Sequence, residues 1–370
     1  MIPYGHQRID ADDEQAVLDV LRSDWLTTGP KVDEFEQAIC AFTDAKHGVA
    51  VSSGTAALHA AFHALGIGPG DEVVVPAMTF AATANAVLYC GGTPVFCDVL
   101  ADNLLIDPER AEALITPRTK ALVGVDYAGH PCDWDALRRI ADKHSLALVA
   151  DACHALGGKY HGRKVGTLAD ISVFSFHPVK HLTTGEGGMC VTDDAGLALK
   201  MRRFRNHGIS TDARQREKAG GWYYEMTELG FNYRITDIQC ALGISQLNKM
   251  PRSLEVRNAV ARQYEQSFQG TGIAPLARDE DVLHAYHLFV VRVRERDKSF
   301  SALRQAGIGV NVHYIPVHLH PYYRERLGTK DGMCPVSEAA YREILSLPMW
   351  CGVEEHMEYI CAEMKKVCGA

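Results

Sequence analysis

Short apolar runs that alternate with helix-like stretches constrain the fold of this chain more than any other feature of its sequence. The predicted strands are 48–52, 72–76, 93–97, 121–125, 146–150, 171–176 and 188–192. Strands that are apolar on almost every residue are typical of a mostly parallel sheet with helices on both faces. We therefore predict an α/β fold, with any ligand site beyond the carboxyl ends of the strands.

The length of 370 residues suggests one large domain and one smaller domain. The strand pattern changes in character near Met250 and Pro251. After this break the sequence predicts a helix at 254–268, short strands at 287–293 and 309–314, and a final helix at 353–367. The predicted units are an N-terminal arm (1–14), a large domain (15–249) and a smaller α+β C-terminal domain (250–370). The polar stretch 209–222 is the best candidate for a mobile loop.

Charge and composition exclude several classes of partner. The formal net charge of -8 and the pI near 6.1 argue against a nucleic acid as general partner. The chain contains no run of eighteen apolar residues, so no membrane span is expected, and its first residues lack the pattern of a signal peptide. The 11 cysteines are scattered without metal-ligand spacing. We expect a soluble cytoplasmic protein with reduced cysteines.

Lys180 is the residue expected to carry the chemistry. It follows the predicted strand 171–176 and precedes a glycine-rich turn. Burial at a strand end would lower the pKa of a lysine, and a neutral amine can attack a carbonyl to form a Schiff base. A surface lysine at a strand end is the simpler interpretation of one residue taken alone. Several further segments favour the chemical interpretation.

The first segment is a predicted anion site after the strand 48–52. Gly54 and Thr55 begin a helix there, and a glycine lets the backbone approach a ligand closely. The helix N-terminus offers free N–H groups and a positive dipole end, which suit a phosphate. Capping without a ligand is the alternative. Ser175, at the end of the strand 171–176, could add a hydroxyl group to the same phosphate.

Asp151 ends the strand 146–150 and is the second element of the predicted site. A carboxylate there can pair with a protonated pyridine nitrogen, so that the ring accepts electrons from a carbanion. Capping of the next segment explains an isolated aspartate equally well. His154, three residues on, could contact the ring or its phenolic oxygen, although a structural histidine is nearly as good an interpretation.

Two further residues could complete a cofactor site. Phe80 follows the strand 72–76 and could stack on a ring, where plain core packing is the alternative. Asn232 lies in a polar-aromatic loop and could contact a phosphate, although an asparagine turn fits it as well. With Lys180, these segments supply the parts of a site for pyridoxal 5'-phosphate (PLP).

The motifs that contain these residues resemble the DegT/DnrJ/EryC1/StrS family over essentially the whole chain. They are residues 53–58 (Ser-Gly-Thr-Ala-Ala-Leu), Asp151 with His154, residues 175–180 (Ser-Phe-His-Pro-Val-Lys) and residues 230–234 (Gly-Phe-Asn-Tyr-Arg). The family consists of PLP-dependent sugar-nucleotide aminotransferases. The resemblance implies the fold-type I, aspartate aminotransferase-like architecture, with a mostly parallel mixed sheet in the large domain.

The resemblance implies a role for each matched residue. Lys180 is then the Schiff-base lysine, Asp151 the partner of the pyridine nitrogen, and His154 a neighbour of the cofactor oxygen. The implied phosphate ligands are Gly54, Thr55, Ser175 and, from the neighbouring subunit, Asn232. A homodimer with shared active sites is therefore expected. The implied substrate contacts are His313, Tyr314, Arg234 and Glu186. A related dehydratase group has histidine in place of the Schiff-base lysine, and the lysine here favours transamination.

Several stretches resemble one branch of the family, the pseudaminic acid transaminases that act on a UDP-linked 4-keto-6-deoxy sugar with L-glutamate as amino donor. These stretches are 125–132, 177–188, 222–226 and 312–318. The same chemistry on another keto-sugar nucleotide is the nearest alternative, and a PLP-binding regulator without turnover is an alternative of another class. A metal site built from His313, His318, His320 and Cys334 is disfavoured, because their spacing matches no zinc pattern.

Overall fold

The computed structural model describes residues 1–211 and 220–369. Residues 1–192 form nine strands, and seven of them build the main sheet. These seven are β1 (His47–Val51), β2 (Glu72–Pro76), β3 (Thr93–Cys97), β4 (Thr119–Val125), β5 (Ala147–Asp151), β8 (Ile171–Ser175) and β9 (Gly188–Thr192). The short strands β6 (Lys159–Tyr160) and β7 (Arg163–Lys164) follow β5 and lie outside this sheet.

The main sheet has the order β1-β9-β8-β5-β4-β2-β3. Its neighbouring strands pair in parallel except at β9, which is antiparallel to both β1 and β8. The predicted mostly parallel sheet is thus confirmed, and its mixed character comes from one strand. In the register of β4, β5 and β8, Val125 lies opposite Asp151, and Asp151 lies opposite Val173. The carboxyl ends of these strands therefore meet at one edge.

Helices cover the sheet because they place apolar side chains against it. The helices of this part are α1 (Ala11–Leu21), α2 (Pro30–Thr43), α3 (Gly54–Ala64), α4 (Ala81–Tyr89), α5 (Pro108–Ala113), α6 (Trp134–His144), α7 (Ala195–Phe204) and α8 (Asp237–Asn248). In α6 the buried positions Trp134, Leu137 and Ile140 recur at helical spacing, as expected for a one-sided helix. By contrast, α3 is buried on almost every residue, so its N-terminus points into the protein.

The rest of the chain builds a second core around a small antiparallel sheet. This sheet has the order β10-β12-β13, from β10 (Ala274–Pro275), β12 (Phe289–Arg292) and β13 (Ile344–Leu347). A further strand, β11 (Val282–Leu283), pairs with β6. The remaining helices are α9 (Met250–Phe268), α10 (Arg296–Gln305), α11 (Pro321–Leu327), α12 (Pro335–Glu343) and α13 (Met357–Cys368). The second core includes Tyr264, Leu303 and Ile360.

Some predicted boundaries change. The stretch 309–314 forms no strand: around it the described backbone makes only isolated bridges, from Ile308 to Ile2 and from Asn311 to Ser346, so that prediction was wrong. Most of the predicted mobile loop, residues 212–219, lies outside the described residues. The division into an arm and two domains stays a prediction. No helix in residues 1–211 or 220–369 is both long enough and hydrophobic enough to span a bilayer.

Candidate active site

A cavity of about 590 Å³ opens at the carboxyl ends of the parallel strands. Gly54 enters it after β1, Asp151 at the end of β5 and Ser175 at the end of β8. The predicted site residues that line this cavity are Gly54, Thr55, Phe80, Asp151, His154, Ser175, Lys180, Glu186, His313 and Tyr314. The fold thus brings residues from distant parts of the chain to one cavity, at the edge where open α/β sheets bind ligands.

Lys180 lies in the loop between β8 and β9, and its backbone N–H donates to the carbonyl oxygen of His177. Its Nζ atom lies 3.3 Å from Nε2 of His287. Burial lowers the pKa of Lys180 to about 8, although the nearby Asp151 acts in the opposite direction. A substantial fraction of this amine is therefore neutral near physiological pH, as a nucleophile or base requires.

Two hydrogen bonds fix the carboxylate of Asp151, which is only 6% exposed. Its Oδ2 atom accepts from Oγ1 of Thr83 over 2.7 Å, and its Oδ1 atom accepts from the backbone N–H of Cys153 over 3.3 Å. Thr83 lies in α4 and is itself within 2.8 Å of the Thr79 hydroxyl. The carboxylate is held at the floor of the cavity by a helix and a strand end that do not depend on a ligand.

His154 is buried beside Asp151, and its Nε2 atom lies 3.0 Å from the Tyr314 hydroxyl. Burial, and then the charge of Lys180, lower the pKa of His154 well below its usual value. Its Nδ1 atom is buried without a hydrogen-bond partner in the part of the chain that the structure describes. Because buried polar atoms rarely lack a partner, this nitrogen is available to a bound molecule.

Gly54 is held close to the end of β8. A Cβ atom at this position would lie 2.9 Å from Cβ and 3.2 Å from Oγ of Ser175, which leaves no room for any other residue. Ser53 caps α3 by accepting from the backbone N–H of Ala56. Its capping does not use the N–H groups of Gly54 and Thr55, which lie at the cavity. The local geometry suits a small anion.

Phe80 is 59% exposed although it lies in the cavity wall. Its ring lies 5.9 Å from that of Tyr314, centroid to centroid. An exposed aromatic ring on a cavity wall is not part of the core, so the alternative of plain core packing does not describe it. The ring is free to stack on a planar ligand.

Two predicted site residues lie outside this cavity. Asn232 is exposed and forms an isolated bridge with Asn206. Nη1 of Arg234 donates to Oδ1 of Asn206 over 2.8 Å, and Arg234 lines a different pocket. One chain alone therefore does not bring either residue to the cofactor cavity, and the proposed contact of Asn232 with a neighbouring subunit stays a prediction.

The cavity also contains residues that the sequence interpretation missed. His287 contacts Lys180, and Tyr4 reaches the cavity wall from the N-terminal segment. The only available signal for His287 was a polar residue at the start of the apolar run 287–293. For Tyr4 we find no signal in the sequence.

Two histidines of the disfavoured metal hypothesis, His313 and His318, are bound to other groups. Nε2 of His318 lies 2.9 Å from Oε1 of Glu338, and Nδ1 of His313 lies 2.8 Å from the Ser346 hydroxyl. Within the described ranges, 1–211 and 220–369, no group of three or more His, Cys, Asp or Glu residues has the geometry to hold a metal ion.

The cavity residues fit PLP on observations that do not depend on the resemblance. Gly54 and Thr55 place the start of α3 at the cavity beside Ser175, where a phosphate can bind, and the buried carboxylate of Asp151 can stabilise a protonated pyridine nitrogen. The unpartnered Nδ1 of His154 can donate to, or accept from, a ring substituent. These residues, with Lys180 and Phe80, would hold the cofactor.

Comparison with known proteins supports the same conclusion. Residues 7–365 match the model of the DegT/DnrJ/EryC1/StrS aminotransferase family. The spore coat polysaccharide biosynthesis protein SpsC of Bacillus subtilis is 43% identical over 359 residues, which cover 94% of this chain and 92% of SpsC.

Two solved structures are similar over their whole length. Spr1654 of Streptococcus pneumoniae, named a sugar aminotransferase and solved in its PMP-form, superposes with a TM-score of 0.95 at 34% identity, covering 100% of this chain and 99% of Spr1654. It has also been solved in its PLP-form. Helicobacter pylori PseC, an aminotransferase of pseudaminic acid biosynthesis, gives a TM-score of 0.92 at 33% identity, with 100% and 99% coverage. The chain therefore has the fold-type I architecture and belongs to the DegT/DnrJ/EryC1/StrS family of PLP-dependent sugar aminotransferases.

Proposed function

We propose that this protein transfers the amino group of L-glutamate to the C4 ketone of UDP-2-acetamido-2,6-dideoxy-β-L-arabino-hexos-4-ulose, giving UDP-4-amino-4,6-dideoxy-N-acetyl-β-L-altrosamine. This is the transaminase step of pseudaminic acid biosynthesis. The stretches 125–132, 177–188, 222–226 and 312–318 support this substrate by their resemblance to that branch, and the similarity to Helicobacter pylori PseC agrees with it. The observation that carries the aminotransferase chemistry is a lysine of lowered pKa in the same cavity as a buried carboxylate.

Each group of residues in the cavity has its own role in the proposed reaction. PLP, when bound, supplies an electron sink for the carbanion that forms at the α-carbon of the amino donor. The neutral amine of Lys180 removes the α-proton and holds it for return. Asp151 keeps the pyridine nitrogen protonated, because a fixed carboxylate stabilises the adjacent positive charge. His313, Tyr314 and Glu186 also line the cavity, and in this proposal they contact the sugar.

The active unit in this proposal is a homodimer in a cytoplasmic setting. A run of exposed apolar and aromatic side chains comes shortly before Asn232, and exposed patches of this kind commonly mark protein interfaces. Its members are Trp222, Tyr223, Tyr224, Met226, Leu229 and Phe231. Pairing through this segment would carry Asn232 towards the phosphate of the neighbouring cofactor. The oligomeric state in solution, measured by light scattering, tests the first part of this proposal.

The proposed reaction is tested by mass-resolved conversion of the UDP-linked 4-keto sugar with L-glutamate and PLP. We expect an amino sugar labelled at C4 when the donor carries ¹⁵N, and no product from Lys180→Ala. Lys164→Ala is the matched control, since Lys164 is a surface lysine paired with Asp44 and should leave turnover unchanged. Substantial product from Lys180→Ala would overturn the mechanism.

The same chemistry on another keto-sugar nucleotide is the second candidate, because SpsC, a spore coat polysaccharide protein, is more similar in sequence than PseC. A panel of dTDP-, GDP- and UDP-linked 4-keto sugars, with a 3-keto sugar, separates the two. Conversion of another member alone would retain the aminotransferase and reject the pseudaminic acid assignment. Cofactor binding without turnover on any member would instead indicate a PLP-binding regulator.

A further inference from the structure

His287 approaches Lys180 from a part of the chain far away in sequence. It precedes β12 in the small antiparallel sheet, whereas Lys180 follows β8 in the main sheet. Nε2 of His287 lies 3.3 Å from Nζ of Lys180. Among the described residues, this is the one hydrogen bond made by Nζ. The contact that holds the amine therefore comes from an imidazole that precedes a strand of the small antiparallel sheet.

The surroundings of His287 keep its ring uncharged. The side chain is 4% exposed, and the ring centroid lies 4.4 Å from that of His154 and 5.8 Å from that of His181. Burial first, and then the charge of Lys180, lower the pKa of His287 well below its usual value. A neutral imidazole has one acceptor nitrogen, and here Nε2 is placed to accept from the lysine amine.

Neighbouring buried histidines do not have this arrangement. Nε2 of His181 bonds to the carbonyl oxygen of Ala285, and Nδ1 of His284 accepts from the backbone N–H of Tyr286, each over 2.8 Å. The rings of both histidines therefore hold backbone groups in place. His287 bonds instead to the side chain of Lys180, and its Nδ1 is buried without a partner within residues 1–211 and 220–369. This bond to a side chain at the cavity distinguishes His287 from a histidine that only packs in a core.

We propose that His287 is a positioning residue for Lys180: its Nε2 atom accepts a hydrogen bond from the free amine and holds Nζ at the cavity, next to His154, whenever the amine is not bonded to the cofactor. The inference rests on the proposed function, since it gives His287 a task only if Lys180 moves protons. A base held in place transfers protons faster than one that samples many side-chain conformations.

The experiment must separate His287 from the other groups that act on this amine. Those that face Lys180 or His287 are Asp151, Cys153, His154, His181, His313 and Arg257. They stay unchanged in a His287 variant. His284 supplies the matched control, because it is a buried histidine three positions away whose Nδ1 atom bonds to the backbone of Tyr286, whereas Nζ of Lys180 bonds to His287.

The first measurement uses the cofactor-free protein. The rate at which acetic anhydride acylates Lys180 is followed by peptide mass spectrometry across a pH series, which gives the apparent pKa of the amine. We expect His287→Leu to lower this apparent pKa by about one unit, because the ammonium form loses its acceptor. His287→Gln keeps an acceptor and should stay within about a third of a unit of the wild type. His284→Leu should not shift it.

The second measurement uses the holoenzyme and its keto-sugar substrate. We expect kcat of His287→Leu to fall by about 10- to 100-fold with little change in KM, and His287→Gln to recover most of it. If His287→Leu fails to fold, His287→Gln can be compared with His287→Asn, whose amide is too short to reach Nζ. This pair again compares a variant that keeps an acceptor for the amine with one that lacks it. An unshifted pKa in His287→Leu, or an equal shift in His284→Leu, would overturn the proposal. Absence of turnover in the wild type would reject the proposed function and leave the acylation result to decide on His287.

Discussion

Asp126 and Asp151 lie side by side at the ends of β4 and β5, where the backbone N–H of Asp126 donates to the carbonyl oxygen of Asp151 over 3.1 Å. Both side chains are buried. Oδ1 of Asp126 accepts from the backbone N–H of Cys132 and from Nε1 of Trp134, whereas Oδ2 has no partner in the described part of the chain. Burial, reinforced by the charge of Asp151, raises the pKa of Asp126 to about 7.

This pKa predicts a pH-dependent stability for the cofactor-free protein. Between about pH 4 and pH 7 the folded chain keeps a proton on Asp126 that the unfolded chain releases, so stability falls as pH rises through this window. Asp126→Asn is neutral at every pH and removes the effect. In thermal unfolding, the free energy of unfolding of the variant relative to that of the wild type should rise by on the order of 3 kcal/mol between pH 4 and pH 7. Above this window the difference between the two proteins should stay constant. A difference independent of pH would contradict the assignment.

Asp151→Asn should leave bound cofactor in place and slow turnover by about 10²- to 10³-fold, because the ring loses the charge that keeps its nitrogen protonated. Cofactor content is read from absorbance and kcat from product formation. Thr83→Val is the matched control: it removes the hydrogen bond to Oδ2 and keeps the carboxylate. Its loss should be less than about tenfold. Equal losses in the two variants would show that the hydrogen bond, and not the charge, matters at this position.

The sequence predicts the strands of the main sheet well, because apolar runs in a buried sheet are recognisable without knowledge of their partners. Glu72–Pro76, Thr93–Cys97 and Gly188–Thr192 have the predicted bounds. The direction of a strand cannot be predicted in this way, because it depends on the path that the chain takes between one strand and the next. The apolar run of β9 looks the same whether it is parallel or antiparallel to β8, and its reversed direction emerges only from the pairing.

The sequence predicts those residues of the cavity that lie at the ends of strands. Asp151 and Ser175 do so, and Lys180 follows directly, so a parallel sheet must bring them together. His287 and Tyr4 come from segments whose approach depends on the docking of the second core and of the N-terminal segment. No local pattern encodes that docking, which is why the hydrogen-bond partner of Lys180 was missed.

Phe80→Ala should weaken cofactor binding with little effect on stability. The ring is 59% exposed, so its removal leaves no cavity in the core, but it takes away the surface on which a planar ligand would stack. We expect the Kd for PLP to rise by about tenfold, measured by equilibrium dialysis, and Phe80→Tyr to stay near the wild type. Tyr322→Ala removes an equally exposed ring outside the cavity and should leave the Kd unchanged. An unchanged Kd in Phe80→Ala would place the cofactor ring elsewhere.

Gly54→Ala tests the predicted phosphate site. The added Cβ atom would lie 2.9 Å from Cβ of Ser175, so that either β8 or the start of α3 must shift. Such overpacking costs about 1–3 kcal/mol, and we expect at least about a tenfold loss of affinity for PLP together with a lower Tm. Gly68→Ala is the control, because no atom lies within 4 Å of a Cβ atom there. Normal affinity in Gly54→Ala would argue against a phosphate at this helix N-terminus.

Mixed dimers test whether Asn232 acts on the neighbouring subunit. Lys180→Ala and Asn232→Ala should each be nearly inactive when prepared alone. If Asn232 reaches across, a dimer of one subunit of each kind contains one intact site, formed by Lys180 of the second subunit and Asn232 of the first. Refolding the two inactive variants together should then restore activity, up to about half of the wild-type rate per mixed dimer. If Asn232 instead served the cavity of its own chain, both sites would be defective and mixing would restore nothing. Self-mixing of each variant controls for refolding.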